Sequence, residues 1–213
     1  DEGASVDVIR KKLASIENSV QRISDIVKGL RTFARSDSSE LSDFDPFPMI
    51  RETVDFLREI YLREGIELKL EKIKSPVIIR ANRGRLQQVL VNLLANAKDA
   101  TLHKEMRRID VAAKVSGTQL VITVKDNGKG IPENISEKIF DPFFTTKPVN
   151  EGTGIGLSIA NTIVKEHGGR LEFSSVVGEG TEFRVLLPVS VSEEKTEQKT
   201  APVPGSKLKV SLL

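Results

Sequence analysis

Val124-Lys125-Asp126-Asn127-Gly128-Lys129-Gly130-Ile131-Pro132 carries an alternating apolar run to a carboxylate and then to two glycines. Alternation is the period of a half-buried strand, so Asp126 stands at a strand end. The glycines free the following backbone to approach something flat or phosphorylated. A carboxylate so placed can accept the exocyclic amine of adenine; by itself, Asp-Asn-Gly also fits a plain turn. Residues 126–154 continue in Gly, Pro and small polar groups, longer than an ordinary connection, and such loops are usually functional or disordered. They run into Glu151-Gly152-Thr153-Gly154-Ile155-Gly156-Leu157-Ser158, where glycines free backbone amides at a helix start and the macrodipole favours an anion. No Gly-Lys-Ser/Thr follows at Walker spacing, and a loop instead of a strand precedes, which excludes a dinucleotide fingerprint. A glycine-rich helix start without any ligand fits the same letters.

Upstream, Leu120, Ile122 and Val124 alternate, as do Ile109, Val111, Ala113 and Val115, and Ser116-Gly117-Thr118 joins the two runs as a hairpin. A helix of four to five turns is predicted from Arg83, burying Leu86, Val89, Leu90, Leu93, Leu94 and Ala97. Before it, Ile66, Leu68 and Leu70 predict one strand and Val77-Ile78-Ile79, after Pro76, another. Asp45-Pro46 supplies a cap and a first-turn proline for a helix presenting Phe47, Ile50, Val54, Leu57 and Tyr61 and stopping before Gly65. Downstream, a helix over Ile155–Glu166 closes at Gly168-Gly169. A last hairpin pairs Leu171 and Phe173 with Phe183, Val185 and Leu187 around Gly178-Glu179-Gly180, and the core ends at Pro188. Helices segregated from a mostly antiparallel sheet make an α+β two-layer sandwich over residues 45–188.

The flanks differ from this core. Ile9, Leu13, Ile16, Val20, Ile23, Val27 and Leu30 keep alternating steps of four and three, the 3.5-residue repeat of a bundle seam, so residues 1–38 are expected to form a long helix needing a partner. A solitary helix packed on its own domain is the plainer alternative. Residues 189–213 are expected to be a solvated linker ending in an apolar scrap, Leu208, Val210, Leu212 and Leu213.

The 213 residues are 38% hydrophobic and 29% charged, ordinary for a globular chain. With 32 Lys and Arg against 30 Asp and Glu, the net charge of +2 offers no field for nucleic acid. The absence of Cys excludes a disulfide scaffold, a thiol nucleophile and a Cys-ligated zinc. No run approaches 18 apolar residues and no export signal is visible, so the expected location is cytoplasmic.

The helix from Arg83 places Gln88, Asn92 and Asn96 four apart with Asp99 close to the same row, beside the leucine face. A carboxamide oxygen is a hard, neutral ligand suited to magnesium; helix capping or core hydrogen bonding fits the row equally. These elements occur in order with Phe140-Asp141-Pro142-Phe143-Phe144-Thr145-Thr146-Lys147 between the Asp126 turn and the glycine loop, and Gly178-Glu179-Gly180-Thr181 after them. In that order and spacing the chain resembles the catalytic, ATP-binding domain of bacterial sensor histidine kinases, within the superfamily of gyrase, Hsp90 and MutL ATPases. The resemblance covers residues 45–188, and residues 5–36 are similar to the second helix of the kinase dimerisation bundle.

The resemblance implies a Bergerat-type fold and a site for ATP and Mg2+. Asn96 would coordinate magnesium, with Asn92 and Asp99 near the metal and phosphates. Asp126 would hold adenine N6, with Gly128, Gly130 and Ile131 alongside the base and Thr181 completing its contacts through water. Gly152, Thr153, Gly154, Ile155, Gly156 and Leu157 would wrap the phosphates. Lys147 would be a phosphate cation in a lid loop anchored by Phe140, Phe143 and Phe144, although core filling also explains the phenylalanines. Gyrase-like relatives carry a glutamate as general base where Asn92 stands; an amide accepts no proton at neutral pH, which suits a phosphotransferase. Asn92, Asn96 and Lys147 are therefore the catalytic candidates. The expected partners are a histidine-bearing bundle helix and a response-regulator receiver domain, in a homodimeric parent that can be membrane-anchored. Residues 1–44 hold no His, so either the acceptor helix is expected upstream of Asp1 or the kinase is a degenerate one without its acceptor. His103 and His167 are expected to be structural or solvent-facing, and the terminal Lys207-Leu208-Lys209-Val210 run matches either the opening strand of a receiver domain or an unstructured tail.

Overall fold

A computed structural model describes residues 40–71, 76–148 and 152–190, together with Lys12. The expected bundle helix, apart from the helical Lys12, and the expected tail beyond Ser190 lie outside the described residues.

Asp45 caps helix α1 (Pro46–Arg63), accepting the Phe47 amide at 3.0 Å, and Asn82 caps helix α2 (Arg83–Ala100), accepting the Arg85 amide at 3.0 Å. Such a cap is worth about 1 kcal/mol because it satisfies an orphan N–H. Helix α3 (Gly156–Glu166) has no side-chain cap at its N-terminus. Among the described residues the strands are β1 (Ser42–Phe44), β2 (Ile66–Leu70), β3 (Ile79–Ala81), β4 (Arg107–Ser116), β5 (Gln119–Asp126), β6 (Arg170–Val176) and β7 (Gly180–Pro188). Five of them form one sheet in the order β2-β4-β5-β7-β6, in which only β2 and β4 run parallel. The fold class is the expected α+β sandwich.

Side-chain alternation decides which face the helices cover. Ile109, Val111, Leu120, Ile122, Val124, Phe183, Val185 and Leu187 are buried on one face, against Ile50, Val54, Leu86, Leu90, Leu93, Leu94, Ile163 and Val164 of the helices. The opposite face carries Asp110, Lys125, Glu182, Arg184 and Glu172, none of them buried. Truncating a core leucine such as Leu93, fully enclosed in the structure, should cost about 2–5 kcal/mol.

Two expectations are corrected. The strand foreseen at Val77-Ile78-Ile79 begins at Ile79 and runs to Ala81, and it pairs with β1 as a separate two-stranded sheet, Phe44 opposite Ile79 and Ser42 opposite Ala81. The segment Ser42–Phe44, ahead of α1, is thus a strand; three residues are too few to show alternation, and only the partner defines them. The helix anticipated from Ile155 starts at Gly156, with Ile155 at the cap position.

Candidate functional site

The register of the sheet places the first element of the site. Ile109, Asp126, Thr181 and Ser175 stand opposite one another across β4, β5, β7 and β6. Asp126 therefore lies on the helix-covered face at the end of the sheet, only 4% exposed. Its Oδ1 accepts the Gly128 amide at 2.8 Å. Burial pushes its carboxyl above the usual aspartate value, and the amides of Gly128 and Thr181 pull part of the way back. The Ser175 hydroxyl, which pattern alone did not single out, accepts the Ile131 amide at 2.8 Å and lies 2.9 Å from the Thr181 hydroxyl. A lone serine in a strand gives no sequence signal; its cross-strand partner does.

The glycines after Asp126 are required by the protein itself. A Cβ on Gly128 would lie 2.5 Å from the Ala100 carbonyl oxygen, and one on Gly130, at φ +72°, would lie 2.2 Å from that of Val176. The turn is thereby pressed against the last residue of α2 on one side and the β6–β7 turn on the other. Asn127 is fixed too, donating to the Met106 carbonyl at 2.6 Å and accepting the Arg108 amide at 2.9 Å.

The amide row faces the start of α3. Asn92 Nδ2 donates to the Gly156 carbonyl at 3.0 Å. A Cβ on Gly156 would come within 3.9 Å of Asn92 and 4.0 Å of Asn96, ordinary van der Waals contact, so the start of α3 lies directly against both amides. Asn96 Nδ2 is buried without a hydrogen-bond partner, as is Gln88 Oε1 in the same row. An orphaned buried amide in a folded protein calls for an explanation such as a bound ion or water. The oxygen and nitrogen of a carboxamide are assigned by their partners, so Asn96 can turn its oxygen to a cation. Among the described residues no group of three or more His, Cys, Asp or Glu could hold a metal; a cation here would rest on the amide and on oxygens of a ligand.

The loop between these elements folds back on α2. Lys147 Nζ pairs with Asp99, and a Cβ on Gly152 would lie 2.7 Å from Thr145 Oγ1 and 2.9 Å from Lys147 Cδ. Phe140 and Phe144 pack against the core, Phe140 edge-on to Phe173 at 5.9 Å between ring centroids. Phe143 does not share that anchoring, contrary to expectation: it is 72% exposed with φ +68°, the amide donating to the Gly154 carbonyl at 3.0 Å. The turn directs its side chain outward, where adjacent letters alone suggested one apolar cluster.

The final turns of α2 are thus a hub. Asn92 and Asn96 meet the α3 start, Asp99 meets Lys147, and Ala100 meets the Asp126 turn. Thr153 lies next to this rim, its hydroxyl 3.4 Å from the Ile155 amide. Leu157 packs against the core. His103 is exposed and takes no part. The assembly combines a buried carboxylate, an orphan amide, an uncapped helix start and a lysine, the requirements of a group with a polar ring at one end and anionic charge at the other.

The pattern of the family described as histidine kinase-, DNA gyrase B-, and HSP90-like ATPase matches residues 81–191. The two-component sensor PprA of Pseudomonas aeruginosa is 34% identical over 198 residues, 90% of this chain and 21% of PprA. Among solved structures, the catalytic domain of histidine kinase ThkA aligns with a TM-score of 0.62 at 34% identity, covering 70% of this chain and 95% of that domain. ThkA in complex with the response regulator protein TrrA aligns with a TM-score of 0.67 at 31% identity, covering 81% of this chain and 49% of that one. Full-length ShkA in complex with AMPPNP aligns with a TM-score of 0.68 at 26% identity, covering 84% of this chain and 38% of that one. The chain spans about a fifth of the length of the first curated relatives it matches. Among the described residues, no helix is long and apolar enough to cross a membrane.

Proposed function

This chain belongs to the histidine kinase-, DNA gyrase B- and HSP90-like ATPase family, in the branch of sensor histidine kinase catalytic domains, and from that membership we propose that it binds Mg-ATP at the α2 hub and transfers the γ-phosphoryl group to a histidine on a bundle helix. The observation that carries the proposal is the orphan amide of Asn96 beside the uncapped start of α3, with the buried Asp126 carboxylate at the other end of the same hub. The AMPPNP held by ShkA supports the nucleotide class.

Asp126 would accept from the adenine amine, with Thr181 beside it. Gly152, Gly154 and Gly156 would free the amides that meet the phosphates, and Lys147 would exchange its Asp99 partner for phosphate oxygens. Asn96 would hold the magnesium ion, which supplies neutralisation of phosphate charge when bound. Asn92 supports transfer in preference to hydrolysis: its amide is already donated to Gly156, and it offers no base to activate water. Catalysis then rests on positioning and electrostatics.

In the parent protein the proposed partners are the bundle helix, a second copy of the chain and a receiver domain; ThkA bound to TrrA illustrates the last of these. The proposed site of action is the cytoplasm, with no nucleic acid involved.

The test is incubation of the chain with γ-labelled Mg-ATP and a histidine-bearing bundle segment. Acid-labile, base-stable label on the segment, abolished by EDTA, is the expected outcome. Magnesium-dependent nucleotide binding without transfer would indicate a nucleotide-gated binding module instead.

A further inference from the structure

His167 is 8% exposed and stands outside the nucleotide contacts just described. Its two ring nitrogens join different helices. Nε2 lies 3.0 Å from the backbone nitrogen of Asn82, the cap of α2, and Nδ1 lies 2.7 Å from the carbonyl of Ile163 in the last turn of α3. A backbone N–H can only donate and a carbonyl can only accept, so Nε2 is the acceptor and Nδ1 carries the proton. The ring is therefore the neutral Nδ1–H tautomer.

The same junction holds a second link, Arg85 to Glu166 at 2.6 Å. From Asn82 to Asn92 is 10 residues of α2, and from Gly156 to His167 is 11 residues of α3, about 15 and 17 Å of helix. The two helices are thus antiparallel rails of matched length, pinned by His167 at one end and by the Asn92–Gly156 bond at the other. A slide or rotation at the His167 end is carried along rigid helices to the amide row.

We propose that His167 is a positioning residue for the nucleotide site: by pinning the end of α3 to the cap of α2 it holds Asn92 and Asn96 in register with Gly156. This rests on the nucleotide site proposed above. Removing the ring breaks the His167–Asn82 link and leaves the Arg85–Glu166 pair and the apolar packing of the two helices to set their register at that end.

The test uses the whole chain as wild type, His167→Ala and His167→Gln, with folding checked by circular dichroism. Titration with Mg-AMPPNP should show affinity about tenfold weaker in folded His167→Ala. His167→Gln, whose amide can accept from Asn82 and donate to Ile163, should recover most of it. The Asn92 side-chain amide protons, followed by NMR without nucleotide, should shift in His167→Ala and return toward wild type in His167→Gln. A folded His167→Ala with wild-type affinity and unshifted Asn92 protons overturns the inference. So does a wild-type imidazole found protonated on Nε2, a result that needs no variant to fold. Failure of the wild type itself to bind Mg-AMPPNP, with the Asn92 shift present, overturns the nucleotide assignment and leaves the positioning role standing.

Discussion

The turn after Asp126 and the loop from Asp141 to Lys147 both border α2, yet they are built on opposite terms. In the turn the closest approaches are to backbone: Gly128 against the Ala100 carbonyl, Gly130 against that of Val176, with Asp126 enclosed and hydrogen-bonded. In the loop the tie to α2 is a partly exposed ion pair, Lys147 with Asp99, and Phe143 points to solvent from a left-handed backbone. Backbone pressed against backbone cannot move without opening the core, whereas an exposed pair contributes about 0–1 kcal/mol and exchanges readily. The difference teaches that one wall of the site is held by backbone contact and the other by a side-chain pair that can exchange.

The largest effect should come from the fixed wall. Asp126→Asn keeps an acceptor for Gly128 but turns a donor toward the adenine amine, so nucleotide affinity should fall about 100-fold by calorimetry. Stability should move the other way. Burial raises the folded-state pKa of Asp126 above 3.8, so its charge is a cost at neutral pH that disappears as pH falls through the folded value toward the unfolded one. The nucleotide-free variant should therefore melt no lower than wild type at neutral pH, with the difference shrinking as pH approaches 3.8. A large drop in melting temperature would show the wall to be held by this charge after all.

Lys147→Gln should separate the loop from the wall: phosphotransfer slows about tenfold in a single-turnover assay, while stability changes by less than about 1 kcal/mol. Destabilisation beyond that would make the loop as fixed as the turn. The smallest effect concerns Phe143. Glycine relieves its left-handed strain, worth about 1 kcal/mol, and no core contact is lost; Phe143→Gly should raise the melting temperature by roughly 2–4 °C. No rise would mean that the side chain repays its strain within the folded chain.

Asp126, the amide row and the glycine loop were legible because each is a local pattern with a chemical meaning. Ser175, the Lys147–Asp99 pair and the His167 bridge were not, since each depends on residues far apart in sequence. His167 was anticipated as structural or solvent-facing; the structure selects the structural role and supplies its partners.

Periodicity by itself determined helices α1, α2 and α3, the main strands and the side each buries, because 3.6- and 2-residue repeats translate directly into covered faces. Only the tertiary structure decided that Ser42–Phe44 pairs with Ile79–Ala81, that Phe143 turns outward, and that an imidazole ties α2 to α3. These are choices of partner, and hydrogen bonds and close backbone contacts are made in space between groups whose sequence separation carries no trace of them.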